Sequence, residues 1–231
     1  PFFTDVANNS MYTHNVSATD STAAQNTAYG FTAMDAITTG DNNTTIGFQA
    51  GSAINTGQQN TIIGSLAGDA LTTGSFNVAV GTNALSTEDT TGRNVAVGYN
   101  TLNIQNAAGD AYNVAIGSNA GQAITTGIYN TLVGGAAGDN LTTGIRNVAV
   151  GMFSLSAEDT HGFNTAVGYA TLENLNAGAD GLNTAVGYAA GNAMTTGLFN
   201  TAVGAEALST NIDGDDNVAI GYHALKTFES D

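Results

Sequence analysis

A five-residue unit, seen at Asn147-Val148-Ala149-Val150-Gly151, constrains this chain more than anything else in it. It returns twelve times, opening on Asn at 26, 43, 60, 77, 94, 113, 130, 147, 164, 183, 200 and 217, and the steps between copies are 17 or 19 residues. The Gly four places on is present in every copy. A short, fixed period demands a stacked, one-dimensional architecture, because each repeat buries its apolar side only against its neighbours. The expected fold is all-β: a parallel β-roll or β-solenoid of about twelve rungs covering residues 26–231, led by an irregular or capping stretch, 1–25.

Each rung reads as a short strand bracketed by turn formers. Val78-Ala79-Val80 is β-branched at both ends and bounded by Asn77 and Gly81. Asn and Gly tolerate the left-handed backbone that tight corners demand. A second short strand is expected over Thr82 to Ser86 or along the apolar column Ile54, Leu71, Ile124, Leu141 and Met194. Thr-Thr-Gly groups, as at 72–74 and 142–144, supply the return turn. The longer rungs carry their extra residues in the segments 105–111 and 175–181, which should bulge outward from one corner. A second-order repeat of 70 residues relates Glu88-Asp89 to Glu158-Asp159 and Asp69 to Asp139, as duplication of a four-rung block would. At about 4.8 Å per rung the stack would be about 50 to 60 Å long.

The four positions after the Asn contain no charged residue in any copy: Thr or Val, then mostly Ala, then Val or Ile except at Tyr29, then Gly. Alternate strand residues face opposite ways. An uncharged strand on both faces is a strand buried on both faces. One face lines the roll, and the other must meet another chain, so the pattern predicts a homo-oligomer. Aromatics just ahead of the Asn (Phe76, Tyr112, Tyr129, Phe163, Phe199) add to that contact or shield the corner.

Nineteen acidic residues face three basic ones, Arg93, Arg146 and Lys226, for a net charge of -16. Such a chain repels phosphate backbones and anionic lipid, which argues against nucleic-acid and membrane partners. No apolar run is long enough to span a bilayer. Cysteine is absent, so disulfide and thiolate chemistry are excluded. The start at Pro1 reads as a fragment or a processed product.

The Asn-x-Ala-Val/Ile-Gly core resembles the head repeats of trimeric autotransporter adhesins, the YadA-like head, over residues 26 to 225. The resemblance implies a left-handed parallel β-roll, a homotrimer, an extracellular location and an adhesive role. The period here is longer than the family's usual repeat. Repeats of the form Asn-Thr-Ala-Val-Gly-Tyr also look like those of phage tail fibres, some of which end in a self-cleaving chaperone. Ser230-Asp231 is similar to the start of that chaperone's catalytic motif. Together these imply a virion tail fibre or bacterial surface adhesin attaching to a surface glycan or a host-cell receptor.

Candidate sites are few. Asp213, Asp215 and Asp216, closely spaced around a Gly, could offer oxygens to Ca2+, although a full calcium-loop pattern is missing. The alternative is a solvated acidic corner. Tyr99, Tyr169, Tyr188 and Tyr222 follow the core strand and are candidate ligand-binding platforms for glycans, or rings packed between chains. His14, His161 and His223 occupy unrelated rung positions and read as solvated. Glu88-Asp89 and its copy read as a solvated turn. No nucleophile elbow or phosphate loop occurs, and the chain is not expected to be an enzyme. The rival readings are a self-assembling extracellular filament and an ice-binding solenoid built on the Thr-Thr corners.

Overall fold

The computed structural model describes residues 3–5, 9–13, 22–90 and 92–226, the first of these segments by its backbone. Phe2, His14 and Ser230-Asp231 lie outside the described residues. The chain divides into two compact units, Pro1–Asn113 and Val114–Asp231. Among the described residues both are all-β, and no helix forms.

In the first unit, β1 (Phe3–Asp5) and β2 (Ser10–Tyr12) form an antiparallel pair. β2 then pairs in parallel with β3 (Thr27–Tyr29), and Ser10 Oγ accepts the Asn26 N–H at 3.0 Å. Tyr12 is buried there. The coils continue through β4 (Thr44–Ile46), β5 (Thr61–Ile63), β6 (Val78–Val80) and β7 (Val95–Val97), each parallel to the last and in strict register. The second unit repeats the arrangement with β8 (Val114–Ile116), β9 (Thr131–Val133), β10 (Val148–Val150), β11 (Thr165–Val167), β12 (Thr184–Val186), β13 (Thr201–Val203) and β14 (Val218–Ile220). Parallel pairing holds throughout it as well. The twelve expected rungs are thus twelve coils of a β-solenoid, β3 to β14.

Among the described residues each coil has one strand of three residues, not two. The expected second strand over Thr82–Ser86 is a run of turns. Its backbone still bonds from coil to coil: Asn83 N–H donates to Ser65 O at 3.1 Å, and Leu85 N–H to Thr101 O at 3.0 Å. The corners force this. The coil opening at Asn147 holds Phe153, Leu155 and Phe163 at φ of 60°, 52° and 61°. Left-handed backbone at a residue with a Cβ costs roughly 1–2 kcal/mol. A lone coil has nothing to offset that, whereas a stacked one gains hydrogen bonds above and below.

The invariant Asn has a different role from the one its residue type suggests. It is not the left-handed residue; the residue before it is, from Gln25 to Asp216 in every coil. From Asn26 to Asn200 the Asn side chain is buried and bridges coils instead. Asn60 Oδ1 accepts the Asn77 N–H at 2.9 Å, and Asn60 Nδ2 donates to Gly74 O at 2.9 Å. Equivalent bonds recur at Asn147 with Asn164 and at Asn183 with Asn200. The invariant Gly is explained by close approach. Gly151 has φ 135°, and a Cβ there would lie 2.2 Å from Gly168 O in the next coil.

The middle strand residue points inward and is at most 2% exposed, as at Ala79 and Ala149. In five coils, where it is large or the Ile/Leu/Met column is filled, a Gly makes room, whereas the coil opening at Asn26 packs Met34 with Ile37 and the one opening at Asn164 packs Leu172 with Leu175. A Cβ on Gly138 would meet Leu141 Cδ1 at 2.7 Å and Leu132 Cδ2 at 2.9 Å. Coils with Leu at that place (Leu85, Leu155) instead carry Ala79 or Ala149 on the strand and Glu88 or Glu158 in the column. The two coil types underlie the second-order repeat. The 19-residue steps leave the ladder intact, with Asn183 N–H on Asn164 Oδ1 at 3.2 Å, while 178–180 stand exposed.

Candidate functional surface

In each unit the outer face of the strands is the first functional candidate. The first and third strand residues point outward, and in the single chain they are half-buried to exposed. Ile116 is 40% and Val186 37% exposed, whereas Ala115 and Ala185 between the strand ends are buried. The expected burial of the strand therefore holds for its inner face, and within one chain the outer face is uncovered. It carries Val, Ile and Thr, with Tyr29 in β3, and none of the acidic residues. In each unit this face sets Val and Ile among Thr without a charge, a pattern that marks a binding surface.

Two side-chain columns border this strip. Ahead of the Asn, each unit holds one arginine between two aromatic rings. Arg93 lies over Phe76 at 4.6 Å and Tyr112 at 5.6 Å, and its Nε bonds Asp110 Oδ2 at 2.6 Å, which strengthens its hold on the proton. In the second unit Arg146 sits between Tyr129 at 5.5 Å and Phe163 at 5.3 Å. Two of the three basic residues are thus held by ring faces. The sequence showed the aromatics but not their pairing, since the partners lie 17 or 19 residues apart.

Beyond the Gly lies the column of candidate tyrosines. Tyr169 and Tyr188 stack at 5.6 Å and 8° between planes, with Phe153 meeting Tyr169 edge-on at 6.1 Å. Tyr222 is 73% exposed and stacks on the His223 ring at 3.7 Å. Tyr99 is exposed in the first unit. Within the second unit the structure therefore brings Tyr169 and Tyr188 together, while Tyr222 stacks on its sequence neighbour.

The acidic candidates divide differently. Asp213, Asp215 and Asp216 are exposed; Asp215 Oδ1 accepts the Leu198 N–H at 2.7 Å, and Asp216 takes the left-handed corner at φ 58°. Among the described residues, the acidic and imidazole atoms that converge within 4.8 Å belong to Glu158, Asp159 and His161. Glu158 and Glu88 are fully buried in the column that elsewhere holds Ile54, Leu71 or Leu141. The solvated turn expected for both Glu-Asp pairs is therefore corrected. The Asp keeps its place on the corner while the Glu turns inward. Burial pushes the Glu158 carboxyl above the usual range, against the lowering effect of N–H bonds from His161 at 3.1 Å and Ala177 at 3.3 Å. Burial likewise raises Asp69 and Asp139. At Glu206 a bond from Lys226 lowers the carboxyl, with His223 Nε2 also 3.2 Å away.

Thr hydroxyls on the return turn are engaged between coils. Thr72 Oγ1 donates to Asp89 O at 3.2 Å and Thr142 Oγ1 to Asp159 O at 2.8 Å. That engagement weighs against a water-ordering Thr array. Comparison with family models, with curated proteins and with solved structures returned no match for this chain.

Proposed function

We propose that this chain is a structural and adhesive segment of an extracellular fibre, a left-handed β-solenoid working as a homotrimer. The observation that carries the reading is the uncharged outer face of the strands, left uncovered in a single chain while the inner face is packed. A covering partner must offer the same repeat along the same length, and a sister chain does so by construction. Three chains meeting through these faces bury the Val and Ile strip and leave the acidic corners in water. Handedness and the number three follow from the likeness to trimeric adhesin heads.

The mechanism is geometric. A stiff stack of coils carries its corner residues away from the surface that bears it, and three copies multiply weak contacts into avidity. Tyr169 and Tyr188 are the proposed contact point for a surface glycan or host-cell receptor, with Tyr99 and Tyr222 as separate positions of the same type. No catalytic step is assigned. Binding of the assembled segment to a glycan array tests the adhesive part. Retention on a defined set of glycans, lost in a Tyr169→Ala/Tyr188→Ala variant of unchanged mass, supports it. Absence of retention on any glycan, with particles growing end to end instead, favours a self-assembling filament.

A further inference from the structure

The core column of the second unit runs Leu141, Glu158, Leu175, and its middle side chain is a carboxylate with 0% exposure. A buried carboxylate between hydrocarbon neighbours needs compensation, or it costs several kcal/mol. No lysine or arginine ion-pairs with it among the described residues; Arg146 is held between rings and Lys226 lies on Glu206. Glu158 accepts the backbone N–H groups of His161 and Ala177, and beside it lie His161 Nδ1, 3.4 Å from Oε1, and a second carboxylate, Asp159, in the same 4.8 Å group. Two carboxylates and one imidazole nitrogen converging in one place make a ligand set that a divalent cation would take.

We propose that Glu158, Asp159 and His161 form a binding site for a first-row divalent cation of the zinc class, held by two carboxylate oxygens and one imidazole nitrogen. The donor set selects the ion. Ca2+ and Mg2+ prefer oxygen-only shells, and nitrogen with carboxylate suits Zn2+ or its neighbours. Three protein ligands leave a coordination position for water or for a group on another molecule. Asp159 and His161 are only half-buried, so the ion reaches the site from solvent. The ligand backbone is fixed before any ion arrives. His161 O accepts Asn147 Nδ2 at 3.1 Å, and Asp159 O accepts the Thr142 and Thr143 N–H groups. On binding, His161 Nδ1 exchanges its present neighbour, Thr160 Oγ1 at 3.1 Å, for the metal.

The chain contains its own control. Seventy residues earlier the same coil type has Glu88 and Asp89, but Thr91 stands where His161 does. The site is therefore assigned to one block and not to its copy. His161→Thr converts the second block to the first at this position. It keeps all the carboxylates, so non-specific attraction of cations to an acidic protein is unchanged.

The test is equilibrium dialysis of the assembled protein against Zn2+ in excess Mg2+, with the visible absorption of a Co2+ complex as a second readout. The expected result is one Zn2+ per chain and a Co2+ band. His161→Thr should weaken Zn2+ binding by about tenfold or more and abolish the band. Asp159→Asn, which alters a corner side chain and leaves the core column intact, should weaken binding with unchanged circular dichroism. Equal Zn2+ binding by wild type and both variants overturns the proposal, as does full displacement of Zn2+ by Mg2+.

Discussion

Asn60 grips Asn43 twice: its backbone N–H and its side-chain amide both donate to Asn43 Oδ1, each at 3.0 Å. The same amide reaches Gly74 O at 2.9 Å, closing its own coil. One residue thereby bonds the coil before it, its own return turn and, through Oδ1, the coil after it. Asn60→Ala strips partners from several buried groups, and a loss of about 2 to 4 kcal/mol is expected. Asn60→Asp restores the acceptor but not the donor and should be no better at neutral pH. Urea midpoints of the intact protein check both.

The Gly positions separate by what a Cβ would meet. Gly151→Ala places a methyl 2.2 Å from Gly168 O at φ 135°, and it should cost about 3 kcal/mol or more, or prevent folding. Gly178→Ala, with nothing within 4 Å, should lie within about 0.5 kcal/mol of wild type. Thermal melting of the pair distinguishes close coil contact from general flexibility.

Arg146 between Tyr129 and Phe163 is a cation held by two rings. Arg146→Ala should destabilise by about 1 kcal/mol, and Arg146→Lys by less. Measured in low and high salt, the Arg146→Ala difference should persist, since ring faces and not a distant carboxylate hold the group. A difference that vanishes in salt would assign Arg146 to a surface ion pair instead.

Asp69 and Asp139 occupy equivalent places, and burial raises both carboxyls above the usual value of 3.8. A raised folded-state pKa means that the folded chain binds protons more readily than the unfolded one. Their contribution to stability is full below 3.8 and is lost as pH rises through the raised folded values. Asp139→Asn should therefore match or exceed wild type at neutral pH, with its advantage shrinking on acidification. Denaturation at a series of pH values reads the difference; an advantage that grows toward acid pH would reverse the assignment.

The coil count and phase were legible because they rest on identity at a fixed step, and Asn and Gly mark every coil. The strand was legible from Val-Ala-Val between turn formers. Roles decided between coils were not. Asn reads locally as a corner residue, yet its bonds go to residues 14 and 17 places away, and the left-handed position falls one residue earlier. Glu88 and Glu158 read as solvated because Glu-Asp beside Thr is a surface pattern. Aligning the coils would have placed both in the column of Ile54 and Leu141. His161 was missed for the same reason, since its partner is three residues back and turned inward.

The claim beneath the fibre reading is that sister chains cover the outer strand face. Mass by light scattering on the isolated segment tests it most directly. The account predicts three times the chain mass of 23.2 kDa, falling to the chain mass, or giving aggregate, in a Val150→Asp/Val167→Asp variant. A stable, soluble wild-type particle of 23.2 kDa would contradict it.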